Sequence, residues 1–243
     1  MDAMLIGGIF IAAIATSVLG TGGGIIALLV LLSFFGGEQG LILSAIIRVF
    51  SFGFTALLGF KTIDFRYCNK VLIGIAVGST GALLIYRPID TEILQAVLAS
   101  YLLFGLWFDN KIFNLLVFKN RVVMGAFASA LNVFTGIGGI FMSATMLRET
   151  WPKETYVSSK AHINFFIAVG SLAVYFFSPT VQILELDWVT MTVLIGVTFC
   201  GSFVGKYVLA AIPDNVVNNV FKLACTVLVL RILYGTVAHL VVI

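Results

Sequence analysis

The chain is short of charge, of cysteine and of proline, and each shortage excludes something. Only 10% of its residues are Asp, Glu, Lys or Arg, while 60% are hydrophobic; a soluble domain this apolar would lack the polar surface that keeps it dispersed. The net charge of +3 says little about nucleic acid, because location matters more than the sum, and no nucleic-acid partner is expected. The three cysteines, Cys68, Cys200 and Cys225, are odd in number and scattered. Without CxxC or ligand-like spacing they imply neither a disulfide framework nor a zinc site, so no metal and no cofactor is expected. No Walker-type Gly-Lys-Ser/Thr loop occurs, which excludes nucleotide hydrolysis. A basic start and a small-residue cleavage site are both missing from the first apolar segment, so it does not read as a signal peptide.

What is there is apolar helix. Mean hydropathy is +1.12, and apolar blocks run at roughly 3–35, 40–60, 69–86, 91–108, 121–147, 156–177, 188–210 and 216–241. Blocks of about 20 apolar residues match a bilayer core. None alternates with period two, which argues against a β-barrel. The four prolines, Pro88, Pro152, Pro179 and Pro213, all fall in the gaps, where helix ends expect them. The fold class is therefore all-α and integral to a membrane, with the lipid bilayer as its surroundings and a multi-pass topology in the cell (plasma or inner) membrane.

Against that background Gly20-Thr21-Gly22-Gly23-Gly24 stands out: four glycines in five residues inside an apolar run. Each costs about 1 kcal/mol against alanine in a helix interior, so a break is expected. The run recurs. Gly20-Thr21-Gly22-Gly23 aligns with Gly136-Ile137-Gly138-Gly139 at an offset of 116, as does Ala45 with Ala161. Val71-Leu72-Ile73-Gly74 returns as Val193-Leu194-Ile195-Gly196, and Gly78-Ser79 as Gly201-Ser202, with offsets drifting toward about 124 as loop insertions would produce. Two halves follow, 1–110 and 119–243, joined by 111–118 within one compact membrane domain.

Charge then orients the halves. As a single helix, residues 3–35 would measure about 50 Å, too long for one upright span of about 30 Å. If each glycine-rich segment is instead a hairpin entering and returning on one side, the halves are inverted repeats. Each then has a broken, re-entrant hairpin plus three transmembrane helices. Lys61, Arg66, Lys70, Lys111, Lys119, Arg121, Arg148 and Lys153 fall together on the cytoplasmic side, as the positive-inside rule requires, and Glu38, Asp90, Glu92, Glu185 and Asp187 on the other, with Arg87 the basic exception.

Broken helices facing each other near the midplane present N-terminal N–H groups and partial positive charge, a cradle for an anion. The substrate-contacting residues expected from this are Thr21, Gly22, Gly23, Gly24 and Ile25 at the first break and Gly138, Gly139 and Ile140 at the second. Arg48 and Asn164, which correspond at offset 116, join them because an ionisable residue inside a span points to function. Further candidates are Ser17, Ser44, Asn132, Thr135 and Ser143 beside the breaks, with Lys160 and His162. Lys160 shares a helical face with Asn164 while His162 turns away; Lys160's stem is also long enough to reach the cytoplasmic surface, and His162 suits either proton relay or helix packing. The GxxxG pairs Gly74–Gly78 and Gly201–Gly205 read as helix-packing seams.

The paired Gly-x-Gly-Gly-Gly-type segments, each followed by a small-residue helix and a Gly-rich third helix, resemble the TauE/SafE family of sulfite and organosulfonate exporters over nearly the whole chain. The resemblance implies transport of sulfur oxyanions or related organic anions coupled to protons or another ion. The chain departs from the family pattern at Leu29 and Thr145, where proline is usual, at Ile140, and at Arg48, where a small polar residue is usual. A secondary transporter working by alternating access is the expected function. The alternatives are a passive anion channel and a carrier of small carboxylates. An intramembrane enzyme is disfavoured, because no GxSG-like nucleophile turn accompanies His162, and no catalytic residue is assigned. Nothing in the pattern fixes an oligomeric state.

Overall fold

The computed structural model describes residues 2–19, 22–35, 37–85, 120–136, 138–146, 149–177 and 188–211, with isolated positions 213, 223, 226 and 230 beyond them. Every regular element among the described residues is helical: α1 Ala3–Leu19, α2 Gly22–Phe35, α3 Gly37–Leu58, a 3-10 turn Phe60–Thr62, α4 Phe65–Ile85, α5 Arg121–Thr135, α6 Gly138–Met146, α7 Lys153–Phe177 and α8 Trp188–Ala211. The expected block 91–108, the connector 111–118, the loop carrying Glu185 and Asp187, and all but the isolated positions 223, 226 and 230 of block 216–241 lie outside the described residues. α4, α7 and α8 are each long and apolar enough to cross a membrane.

The two glycine runs interrupt helices, as their composition demands. α1 has 17 residues, α2 14, α5 15 and α6 9, so none exceeds about 26 Å at about 1.5 Å per residue. α1 and α2 fold back on one another. A Cβ on Gly23 would run into the Ala12 carbonyl oxygen and Thr16, and one on Gly8 into Val30. α5 and α6 do the same, with Gly138 pressed on the Ala128 carbonyl and Asn132. Gly136 closes α5 in the left-handed region at φ 71°, its N–H bonded to the Asn132 carbonyl at 2.9 Å. That conformation suits glycine, which has no Cβ to clash.

The returning helices start at Gly22 and Gly138, so the glycines lie in their first turns rather than ahead of them. First-turn N–H groups need no intrahelical acceptor, and only residues without Cβ let the returning helix lie so close to its partner. The glycines therefore both break the chain and pack it.

Across the halves the packing exchanges. On α4, a Cβ at Gly74 would strike the Val122 carbonyl and one at Gly78 the Ala126 carbonyl, so α4 runs parallel to α5. On α8, Gly201 meets Phe10 and Ala13, and Gly205 meets Ile14 and Ser17, so α8 runs parallel to α1. Both GxxxG pairs are packing seams, as read from their spacing. α3 and α7 cross antiparallel, Gly53 facing Phe165 and Gly59 facing Ser158. Two apolar cores result. One joins Ile9, Ala27, Leu31, Leu43, Ile47 and Leu194 from α1, α2, α3 and α8. The other is drawn largely from α4, α5, α6 and α7 around Val71, Ala128, Met142 and Ala161.

The end of α3 and the starts of α4, α5 and α7 meet at one end of the bundle. There Thr62 and Ser158 share a hydrogen bond of 2.8 Å, the Asp64 N–H donates to Ser159 Oγ at 2.9 Å, and Arg121 pairs with Glu149 at 3.4 Å while lying 4.3 Å over the Tyr67 ring. α1 and α8 run toward this end, whereas α5 and α4 start from it.

The seams generate a paired test. Gly78→Ala places a methyl into the Ala126 backbone, whereas Gly81→Ala, where an added Cβ would meet nothing within 4 Å, enters open space. Gly78→Ala should cost about 1–3 kcal/mol, and Gly81→Ala should be neutral or stabilising through helix propensity. Thermal unfolding in detergent checks this; equal midpoints would refute the α4–α5 contact.

Candidate functional site

Arg48 joins the two breaks. It sits on α3 with its side chain buried at 5% exposure, because the stem lies against Gly24 at the start of α2: a Cβ there would stand 3.2 Å from the Arg48 Cδ. From that contact the guanidinium reaches across to the other half. Nε donates to its own helix at the Ser44 carbonyl, 3.2 Å away. Nη1 donates to Asn132 Oδ1 at 3.4 Å and to the Gly136 carbonyl at 3.2 Å. Nη2 and the Ser51 hydroxyl are buried with no hydrogen-bond partner among the described residues. All three of these Arg48 acceptors are neutral, and Arg121–Glu149 is the ion pair found among the described residues. Thr16, Ser51, Thr198, Gly23 and Gly24 surround the charge in a crevice too tight to admit water.

Asn164 holds the matching place in the second half. It is buried on α7, and a Cβ on Gly139 would stand 3.1 Å from its Oδ1. Arg48 with Gly24 and Asn164 with Gly139 thus form the same contact. The helices bearing the two side chains correspond at offset 116, as do the contacts Ala12 and Ala128, and Thr16 and Asn132. The glycines touching them correspond at 115, Gly23 with Gly138 and Gly24 with Gly139. The buried Ala27 and Leu31 of α2 match Met142 and Met146 of α6 at 115 as well. The second turn is one residue tighter, which alignment on the glycines alone conceals.

The remaining candidates divide. Asn132 belongs to the site: besides accepting from Arg48 it donates through Nδ2 to Ser171 Oγ at 2.7 Å. Ser44 contributes its backbone carbonyl. Ser17 bonds Thr55 at 2.8 Å, just beyond the crevice. Lys160 is fully buried, its Nζ donating to Tyr156 one turn toward the helix start at 3.2 Å, so its head points away from Asn164. His162 stacks edge-on with Phe65 and Phe166, a packing position. Gly22 starts α2. Thr21 lies outside the described residues, as do the side chains of Ile25, Thr135, Ile140 and Ser143. Sequence reasoning did not name Ser51 or Thr198. Ser51 was within reach, three residues after Arg48 on one helix face; Thr198 comes from α8, which only the tertiary fold brings there.

A buried guanidinium with an unused N–H edge, beside two helix starts and no described carboxylate, has the chemistry that suits an anion.

The sulfite exporter TauE/SafE family model matches residues 5–232 of the chain. No curated protein and no solved structure matches it.

Arg48 and Asn132 should behave as a coupled unit. Arg48→Met or Asn132→Leu alone strands the other's buried polar group, at a cost of about 1–3 kcal/mol each. The double variant should cost less than their sum by at least about 0.5 kcal/mol. Unfolding free energies in detergent measure the cycle; strict additivity would show that the two groups are not in energetic contact.

Proposed function

We propose that this chain, which belongs to the sulfite exporter TauE/SafE family, is a multi-pass secondary carrier that moves small multi-oxygen anions across the cell membrane by alternating access. The family comprises membrane transporters of sulfite and related sulfur compounds, which are transporters rather than enzymes. One observation carries the narrower reading. The buried Nη2 of Arg48 has no hydrogen-bond partner among the described residues, and the crevice that Arg48 lines holds no described carboxylate. Leaving a buried charge unpaired is costly, so an arriving anion completes the site.

The crevice admits no water as it stands and has to widen for a substrate; two helix starts suit several oxygens at once, as in sulfite or the head of a sulfonate. The anion is held by Arg48, by the backbone at Gly22–Gly24 and Gly138–Gly139, and by Asn164. Two inverted repeats, 1–110 and 119–243, supply these parts. The reading is supported by the exchanged seams of α1 with α8 and α5 with α4, and by the opposite directions of corresponding helices relative to the end bearing Lys61. That end faces the cytoplasm by its positive charge. Coupling runs through the substrate's own proton or another ion.

Reconstituted liposomes test the reading with sulfite, thiosulfate, simple sulfonates, formate and acetate. Arg48→Ala should lower saturable uptake by at least about tenfold, the value of a hydrogen bond to a charged group. Arg48→Lys should retain part of it, keeping charge without the planar fork. Normal transport by a folded Arg48→Ala protein would remove Arg48 from the pathway; selective carriage of formate or acetate would move the substrate class to carboxylates.

A further inference from the structure

A cavity of about 550 Å³ opens between α1, α3, α7 and α8, one helical turn from the Arg48 crevice and separate from it. We infer that this cavity is an anion-binding vestibule, in which Lys206 and the hydroxyls of Ser17, Thr55 and Ser202 hold the anion before it reaches Arg48. This rests on the transport reading above.

The volume falls within that of small-ligand sites. Two lysines, Lys61 and Lys206, line the cavity against one carboxylate, Glu154, so its field favours anions. Lys206 donates one of its ammonium N–H groups to the Leu58 carbonyl at 2.9 Å, which fixes its head at the mouth; an ammonium has two more to offer. At the inner end Ser202 is fully buried, and its hydroxyl has no partner among the described residues.

The inner wall continues into the crevice. Ser51 and Thr198 line the crevice, while Thr55 and Ser202, each four residues further on the same helices, line the cavity. Thr16 and Ser17 divide in the same way on α1. Three helices therefore each give one hydroxyl to either chamber, about 6 Å apart along α3 and α8. The 2.8 Å hydrogen bond between Ser17 and Thr55 lies on the cavity wall, one turn of α3 from Ser51, and on the inferred path the anion has to pass it.

The corresponding place in the other half is shut. Val133, Val174 and Leu83, which match Ser17, Leu58 and Lys206 at the repeat offsets, belong to one apolar cluster with Ala82. Among the described residues, the place is thus open on the Lys61 side and packed at its counterpart.

Thiol accessibility tests the vestibule without depending on transport. Cys68, Cys200 and Cys225 are replaced by alanine in the full chain, and Ser202→Cys or, at the mouth, Ala210→Cys is added. A sulfonate-bearing methanethiosulfonate should then react faster than a trimethylammonium-bearing one by about tenfold, the range of electrostatic focusing in a charged cleft. Lys206→Ala should remove most of that preference, and added ethanesulfonate should slow the reaction. Val133→Cys should react slowly with both reagents. Lack of reaction at both vestibule positions in folded protein, a cationic preference, or a preference indifferent to Lys206→Ala would each overturn the inference. If the anionic preference holds while the wild-type chain carries none of the tested anions in liposomes, the transport reading falls and the cavity stands as an anion site. If transport depends on Arg48 but the labelling pattern fails, the vestibule falls and the carrier reading stands.

Discussion

A guanidinium buried beside two helix breaks is the constraint around which this molecule is organised. A charged side chain at the middle of a membrane helix costs about 2.5–3.5 kcal/mol on insertion scales, so it persists only where the surroundings compensate. Arg48 draws that compensation from its own helix at Ser44 and from Asn132 and Gly136, which lie 84 and 88 positions away in sequence. The Gly136 carbonyl is available because the chain leaves α5 there in the left-handed region. A continuous helix would have turned that oxygen into its own ladder. The second break thus supplies the acceptor, the first supplies a glycine that lets the Arg48 stem pass, and the charge ties one to the other.

That tie bridges two bodies. Each hairpin is clamped less by its own half than by the long helix of the other: α1 by α8 and α5 by α4, through glycines that bring backbone against backbone. The two apolar cores divide along the same line, one around α1, α2, α3 and α8, the other chiefly around α4, α5, α6 and α7. α3 and α7 cross between them at Gly53 and Gly59. In the proposed cycle the bodies move as units, since close-packed interiors resist deformation, and the α3–α7 crossing together with the Arg48 contacts accommodates the change. A substrate held at Arg48 touches both bodies and is placed to bias their relative position.

Much of this was legible in the residues. The apolar blocks that fall among the described residues are helices, two of them split at the glycine runs, with ends displaced by a few positions. Both glycine runs broke the chain, and Arg48 lay buried beside the glycines where its isolation in an apolar block had put it. Three features were not legible, each for a physical reason. The one-residue tightening of the second turn is invisible when glycines are aligned with glycines; it emerges only from what they touch, Arg48 in one half and Asn164 in the other. Lys160, on the face of Asn164, and His162, turned away from it, both stood as interior titratable candidates, but Tyr156 takes the first and an aromatic cluster the second, contacts set by which turn of α7 faces which neighbour. The vestibule is made of scattered serines and threonines on α1, α3 and α8, individually unremarkable in apolar helices, and only the crossing of those helices gathers them.

The same gathering explains why the two proposed repeats differ at corresponding places among the described residues. At the Lys61 end, the inferred path toward Arg48 is crossed by a hydroxyl pair, Ser17 with Thr55, and a single hydrogen bond contributes only about 0.5–1.5 kcal/mol net. At the counterpart, closure is by Val133 and Val174, each 2% exposed, with Tyr175 bonded to the Val133 carbonyl at 3.0 Å. Burying such side chains is worth about 1.5–3 kcal/mol apiece, and wetting them forfeits it. The hydroxyl pair is the weaker of the two closures, so in the proposed cycle the lysine-lined mouth is the side that opens more readily. With the basic end placed in the cytoplasm, as proposed, that bias would present the site to the cytoplasmic anion. The energy to part the apolar cluster then has to come from the bound state. An anion at Arg48 satisfies a cation that is otherwise short of a partner, and that gain is realised only once the substrate has arrived.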